Sequence, residues 1–479
     1  MSRGGSIGGE CAASCGGGAG RDVGRPSLIS IREKSFTHLM QGNDMQIFKT
    51  FLMAATALSM TAGAVLADDN KAFTNQVNSS ANGSNTALVT QSGKNNQAGA
   101  AGNAMLQKNQ GSKVGNNLDI LQSGDNNEIG VVDLSQLTEN GNSDGNSADL
   151  TQKSSGNVVG KVDQRDRFGG APNAPGNILT IVQGDLNDGA SDGNTINTVT
   201  QDKHKGTGNT ADVSMSGANN TINKITQVST GGEGVNTLDV DISGSNNGNG
   251  TLSGFAASSG ATSSELLQGY ADVNNGNADK GGNSANLVIS GHGNQFGVTQ
   301  EFFDNSVGTL TIAGDNNQLG VAQVGNTNTV SIATIAGDGN NIGVEQIGTT
   351  NTASVSVLQD NNAFGVQQNG STNDADISVD GNGNGLTSTT PTLSGDALTA
   401  AGASLVQAGL VEQQGNDNVV TASFTGDNNL FGMLQDGNGN NISGTVAGSQ
   451  NQAIIAQVGS SNQASFSQQG NGNNLGVNQ

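Results

Sequence analysis

Few residues of this chain have the chemistry of a catalyst. Histidine occurs only at His38, His204 and His292, and no two are spaced to share a metal ion. Cys11 and Cys15 form a Cys-x3-Cys pair with no second cysteine pair beside it, too sparse a set for a zinc site. Gly4-Gly5-Ser6-Ile7-Gly8 has the letters of a nucleophile elbow, but it follows no strand and precedes no helix. Gly231-Gly232-Glu233-Gly234 is a single turn of the kind that calcium-binding rolls repeat without interruption. No phosphate-binding loop is present. Acidic pairs on wide parallel β-helices cleave polysaccharides, but they need a charged cleft that this sequence does not suggest. The expectation is a protein that is no enzyme and holds no cofactor or metal.

The side chains that do recur are carboxamides, and they recur in phase. Asn418, Asn429, Asn440, Asn451, Asn462 and Asn473 are each 11 apart, and so are Gly415, Gly426, Gly437, Gly448, Gly459 and Gly470. Upstream, Gly314, Gly325, Gly337, Gly348, Gly370 and Gly381 keep the interval with one single-residue slip, as do Asn317, Asn328, Asn340, Asn351, Asn362, Asn373 and Asn384. Chance does not hold such a phase.

Within each unit the alternation has the period of a strand. Asn317, Leu319, Val321 and Gln323 point one way, and Gln318, Gly320 and Ala322 the other. Asn340-Ile342-Val344-Gln346, Asn362-Phe364-Val366-Gln368 and Asn429-Phe431-Met433-Gln435 repeat the pattern. Each strand runs into a Gly-x-x-Asn turn, whose residues accept the positive φ that tight turns require. At the glutamine position the intervening strands carry Thr334, Val357, Val379, Phe424 and Val446, and Gln468 breaks that alternation. The full repeat is therefore about 22 residues and two unlike strands. It predicts an all-β fold: a β-solenoid of two-strand coils, with two parallel sheets facing across a thin core and coils rising by about 4.8 Å.

Such a core has room only for small or flat residues, and the composition agrees. The chain is 33% hydrophobic but 3% aromatic, with 74 glycines and no tryptophan, which excludes thick globular layers. Its 12% charged residues are too few for a polyelectrolyte-type disordered chain. Carboxamides at the inner ends of the strands would stack over their counterparts, each donating to one neighbour and accepting from the other. The expected ladder comprises Asn317, Gln323, Asn328, Asn340, Gln346, Asn351, Asn362, Gln368, Asn429, Gln435, Asn451, Gln457, Asn462, Gln468, Asn473 and Gln479. Gly325, Gly348, Gly370, Gly437, Gly459 and Gly470 are the expected turn glycines. A terminal coil would leave rungs and a sheet edge for another subunit to cover.

The segments differ in regularity. Residues 1–44 read as an upstream extension from a misassigned start, or else as a leader. Residues 45–67 read as a signal peptide: Met45, a positive Lys49, the apolar run Phe51 to Val65, then Ala67 before Asp68-Asp69. That run is too short for a stable membrane span. Residues 68–78 follow cleavage, 79–165 carry degenerate repeats, 166–293 carry repeats broken by insertions, and 294–385 and 413–479 are regular. Residues 386–412 read as an inserted loop, like Gly169–Gly176 and roughly Leu252–Gly282. Pro172, Pro175 and Pro391 lie in these interruptions and none lies in an expected strand.

The net charge of −22 argues against nucleic acid and anionic lipid and suits an exported chain. Asp315, Asp338 and Asp360, with Asp427 later, would stack at one corner on neighbouring coils. At about 5 Å in water each adjacent pair repels by roughly 0.8 kcal/mol. They read as solubilising gatekeepers that protect the edge, or as a gate through which acid or divalent cations speed assembly.

With these residues in view, the sequence resembles the curlin family, the subunits of bacterial curli amyloid fibres. Asn317…Gln323-Val-Gly325-Asn-Thr-Asn328-Thr-Val330 and Asn451…Gln457-Val-Gly459-Ser-Ser-Asn462-Gln-Ala464 carry that resemblance. It implies export as an unfolded chain through an outer-membrane pore, engaged by the segment Asp68 to Asn78. It also implies a chaperone, a nucleator subunit, polymerisation at the cell surface, and a role in adhesion and biofilm. The chain departs from the family in its length and in the glutamine that its second strand often lacks. The alternative expectation is a non-polymerising solenoid adhesin that binds glycans or cations.

Overall fold

A computed structural model describes residues 69–79, 83–110, 114–139, 144–167, 174–184, 193–204, 207–230, 234–269, 281–386 and 406–479. The upstream extension, the signal peptide, Cys11, Cys15, His38, Pro172, Pro391 and most of the loop at 386–412 lie outside those residues.

Strands that alternate inward Val, Ile, Leu or Phe with outward Ser, Thr or Asp leave and re-enter one narrow core at each turn. The described residues form two sheets, of 17 and 14 strands, in which every strand pairing is parallel and joins successive coils. This is a parallel β-solenoid with two strands per coil. One continuous core cluster fills the space between the sheets from Ala98 to Ala464. Three successive coils contribute rings to it, with Phe424 stacked on Phe431 at 4.1 Å and Phe364 set edge-on to Phe431 at 5.5 Å.

Register is kept residue over residue. Gln318 to Asn326 pairs with Asn341 to Thr349, which pairs in turn with Ala363 to Ser371. Coils advance by 22 or 23 residues between Asn294 and Asn384 and again from Asn429 to Asn473. Upstream they advance by 26 to 47, because extra residues leave at the corners or between the asparagine and glutamine of one strand while the rungs stay in place.

Two expectations need correction. The position opposite Val357 is Ile335, not Thr334, because a register shift ahead of Thr334 moves the pairing by one residue. The segment read as a loop over Leu252–Gly282 contains a rung, Glu265–Gln268, paired on both sides. Ahead of that rung, residues 250–264 lie across the outside of the larger sheet as a strap with one helical turn, Gly254–Ser258. The strap rests on Gly297, Gly320 and Gly343, which stack in one row. A Cβ at Gly320 would overlap the Ala256 carbonyl oxygen, and one at Gly343 that of Phe255. Outward amides of successive coils bind the strap: Gln318 Oε1 accepts from Ser253 N–H (2.7 Å) and Asn341 Oδ1 from Ala256 N–H (2.9 Å).

Candidate functional site

The site is the set of inward carboxamides at the four corners where strands end. On the larger sheet, glutamines form one ladder through the described coils: Gln76, Gln107, Gln136, Gln164, Gln201, Gln227, Gln268, Gln300, Gln323, Gln346, Gln368, Gln413, Gln435, Gln457 and Gln479. In every step the Nε2 of one donates to the Oε1 of the next, at 2.7–3.0 Å. The second Nε2 hydrogen crosses the core to a backbone carbonyl, as Gln346 does to Thr329 (2.9 Å) and Gln435 to Val419 (2.9 Å). On the smaller sheet Gln91, Gln122, Gln152 and Gln183 make a shorter ladder of the same sense at 2.8–2.9 Å. It then gives way to Met215, Ile242 and other apolar residues in the same register.

Two asparagine ladders complete the set and run the other way. From Asn70 and Asn96 to Asn451 and Asn473, each Oδ1 accepts the backbone N–H of the next coil's asparagine at 2.8–3.1 Å. The second passes from Asn85 through Asn328 and Asn351 to Asn440 and Asn462. Their Nδ2 groups reach the glycine corners: Asn328 donates to Gly348 O (3.0 Å), Asn418 to Gly437 O (2.8 Å) and Asn440 to Gly459 O (2.9 Å).

Those glycines are confined by two constraints. Gly325, Gly348, Gly370 and Gly437 have φ of 119°, 120°, 135° and 133°. A Cβ on any of them would overlap the carbonyl oxygen of the next glycine in the row. Gly459 (φ 113°) and Gly470 (φ 94°) are set by conformation alone.

Of the expected ladder, Gln468 is the member the structure does not bring into line. It lies over Val446 in register, its Nε2 donates to Gln452 O (3.0 Å), and its buried Oε1 has no partner. The sequence did not predict that asparagine and glutamine occupy separate ladders of opposite sense, because spacing alone does not orient an amide. Before Asn317 the sequence shows the repeat only loosely, as in Asn85 to Gln91, Asn116 to Gln122 and Asn146 to Gln152 on the smaller sheet, and the larger-sheet rungs there are harder to read. Their signal, an asparagine followed by an inward glutamine, is stretched there by extra residues within the strand, as between Asn96 and Gln107.

The corner aspartates stack as expected, and each carboxylate has a bond. Asp315 Oδ1 accepts His292 N–H (2.8 Å), Asp338 Oδ1 accepts Asp315 N–H (2.7 Å) and Asp360 Oδ1 accepts Asp338 N–H (2.8 Å). Asn382 and Asp427 continue the row, with Ser449 and Asn471 beyond them. An oxygen acceptor, rather than a charge, is the feature common to all of these residues.

Charge matters more on the outer face of the smaller sheet. Asp119 lies beside Asp149, and Asp212 beside Asp239. Burial, and then the neighbouring carboxylate, push Asp119 and Asp212 above the ordinary carboxyl value. Burial and Asp376 do the same to Asp374. A further feature that the sequence hid is an ion pair between fully buried Lys203 and Asp166, Nζ to Oδ2 3.2 Å. Asp202, Arg167 and His204 lie at the same corner, where burial raises Asp202 against the pull of Arg167. Among the described residues no group of three or more His, Cys, Asp or Glu is placed to hold a metal ion, and no helix is long and apolar enough to cross a membrane.

Fold and ladders together define a class, a parallel β-solenoid with amide-laddered corners. No protein-family model matches the chain, and no curated protein matches it.

Proposed function

We propose that this protein is an exported structural subunit that assembles, by stacking its solenoid coils end to end, into cell-surface amyloid fibres for adhesion and biofilm matrix. The supporting observation is the unbroken glutamine ladder from Gln76 to Gln479, together with the two asparagine ladders. Each rung makes the same bonds to the coil above and the coil below, so the interaction that holds one coil to the next is also able to hold one molecule to the next. The resemblance to curlin subunits adds export through an outer-membrane pore with a chaperone, and a nucleator that starts growth. On this reading the protein is not an enzyme.

Incubating the purified chain tests the reading. Growth with a lag that preformed fibres abolish, together with binding of an amyloid dye, supports it. A chain that stays a folded monomer at every concentration sinks it.

A second reading has its own observation. Asp376, Ser378, Thr421, Ser423, Ser443 and Thr445 line a shallow groove on the smaller sheet, with the Phe466 ring at one end. Rows of hydroxyls beside an aromatic face suit a glycan, and a solenoid adhesin of that kind would bind sugar without polymerising. Binding of soluble polysaccharide by the monomer favours this reading over the first.

A further inference from the structure

The rungs that hold the column together are nearly interchangeable. Gln136, Gln164 and Gln201 each donate to the next glutamine at the same 2.8 Å. Val159, Val162 and Gln164 repeat in register as Ile196, Val199 and Gln201, and again as Ile222, Ile225 and Gln227. A strand displaced by a whole coil would therefore regain its amide bond and much the same apolar neighbours. The loops between rungs do little to forbid this, because closure entropy changes slowly with loop length. The amides alone do not say which coil follows which.

One stretch of the larger sheet carries what the amides lack. The ion pairs between described residues are gathered on three successive strands, Glu128–Thr138, Val158–Asp166 and Thr195–Lys203, and on the residue after the second and the third. They join Lys161 to Asp133, Arg165 to Asp163, Arg167 to Asp202 and Lys203 to Asp166, with His204 at 3.6 Å from Asp202. Two positions past the ladder glutamines, Thr138, Asp166, Lys203 and Ser229 lie in register on successive coils. In the regular coils that position is glycine, as at Gly325, Gly348 and Gly370. Lys203 and Asp166 are both fully buried there, and Lys203 Nζ also donates to Pro175 O at 2.9 Å. Outside the core, Asp133 lies beside Lys161 and Arg165 beside Asp202, opposite charges in register in both cases.

Skipping one coil undoes every one of these matches. Val158–Asp166 laid on Thr221–Ser229 would set Lys161 on Lys224, Arg165 on Val228 and Asp166 on Ser229. Glu128–Thr138 laid on Thr195–Lys203 would set Leu137 on Asp202 and Thr138 on Lys203. A buried charge parted from its partner is strongly destabilising, and like charges set side by side disfavour the wrong pairing further. The correct pair, by contrast, adds little stability over two apolar side chains of similar volume. Its effect is to separate the right register from the wrong ones.

We infer that the Asp166–Lys203 pair, with the outward charges beside it, is a register key that fixes which coil stacks on which as the column folds. It rests on the fold alone and holds whether or not copies of the chain join.

Disulfide mapping in the full chain tests the key. With Cys11→Ser and Cys15→Ser as background, Val158→Cys with Thr195→Cys reports the observed register, and Val158→Cys with Thr221→Cys reports a skipped coil. The three positions are half-buried and lie in register on successive coils. The first pair is about 4.8 Å apart, within disulfide reach, and the second about 9.6 Å, beyond it. Each chain is refolded from denaturant under oxidising conditions and its cross-links are mapped by mass spectrometry. With Asp166 and Lys203 in place, the first pair is expected to close and the second to stay open. With Asp166→Leu and Lys203→Met, the melting temperature is expected to hold or rise, while closure of the second pair increases several-fold. Asp166→Asn with Lys203→Gln keeps a polar pair without charge, and the same increase is expected of it, so the reading does not depend on the apolar variant folding. Closure of the second pair at the unmodified level in both variants overturns the inference. A lower melting temperature with the observed register kept would overturn it too, because the ion pair would then be a stabilising contact and nothing more.

Discussion

A buried carboxamide is an obligation as well as a bond, and at the residue scale that obligation sets the repeat. Each rung glutamine holds two others, so Gln346→Leu would strand the Nε2 hydrogen of Gln323 and the Oε1 of Gln368. At about 1–3 kcal/mol for each unpaired group, the expected loss of unfolding free energy is about 2–5 kcal/mol, read from the denaturant midpoint. Corner residues divide in two. Gly348→Ala meets both a positive φ and the Gly370 carbonyl oxygen, and it is expected to lower the melting temperature sharply. Thr350 is a β-branched residue held at φ 58°. Thr350→Gly relieves that strain, and a gain of about 1 kcal/mol is expected in the same measurement. The identities of the ladder and turn residues in the regular segments were legible in the sequence, since Asn, Gln and Gly at a fixed phase have few other uses. The sense of the ladders was not legible, because hydrogen-bond direction depends on how an amide is turned.

At the scale of the element, each strand has an inner face that packs and an outer face that must be tolerated by its neighbours in the stack. Adjacent Asp119 and Asp149, like Asp212 and Asp239, bring carboxylates together on partly buried ground. A carboxyl whose folded pKa is raised binds its proton more readily folded than unfolded. Stability therefore rises as pH falls from neutrality through the raised value, and levels off below the ordinary value of 3.8. The melting temperature is expected to climb between pH 7 and pH 4, and Asp119→Asn with Asp212→Asn to flatten that climb. The strap makes the opposite kind of demand, for an outer face with no side chain. Gly320→Val should lift it, and limited proteolysis is expected to cut within residues 250–264 while the rung amides keep their protection from exchange. The strand period, the two sheets and the coil of about 22 residues could be read from alternation alone in residues 294–384 and 413–479. The strap could not, because outward mid-strand glycines such as Gly297, Gly320 and Gly343 do not say which segment of the chain covers them.

At the scale of the whole molecule, a column whose coils repeat one bonding pattern has no internal feature that fixes where it should stop. Insertions leave the column without interrupting it, at corners or between the asparagine and glutamine of one strand: the step from Gln368 to Gln413 spans 45 residues and its rung bond is still 2.8 Å. On the assembly proposed above, the rungs would join one molecule to the next along the column axis. Fibre diffraction tests this most directly. Aligned assemblies of the purified chain should give a sharp reflection near 4.8 Å along the fibre axis, the rise of one coil on the next. A chain that remains monomeric, or fibres in which that reflection lies across the axis, would contradict the account.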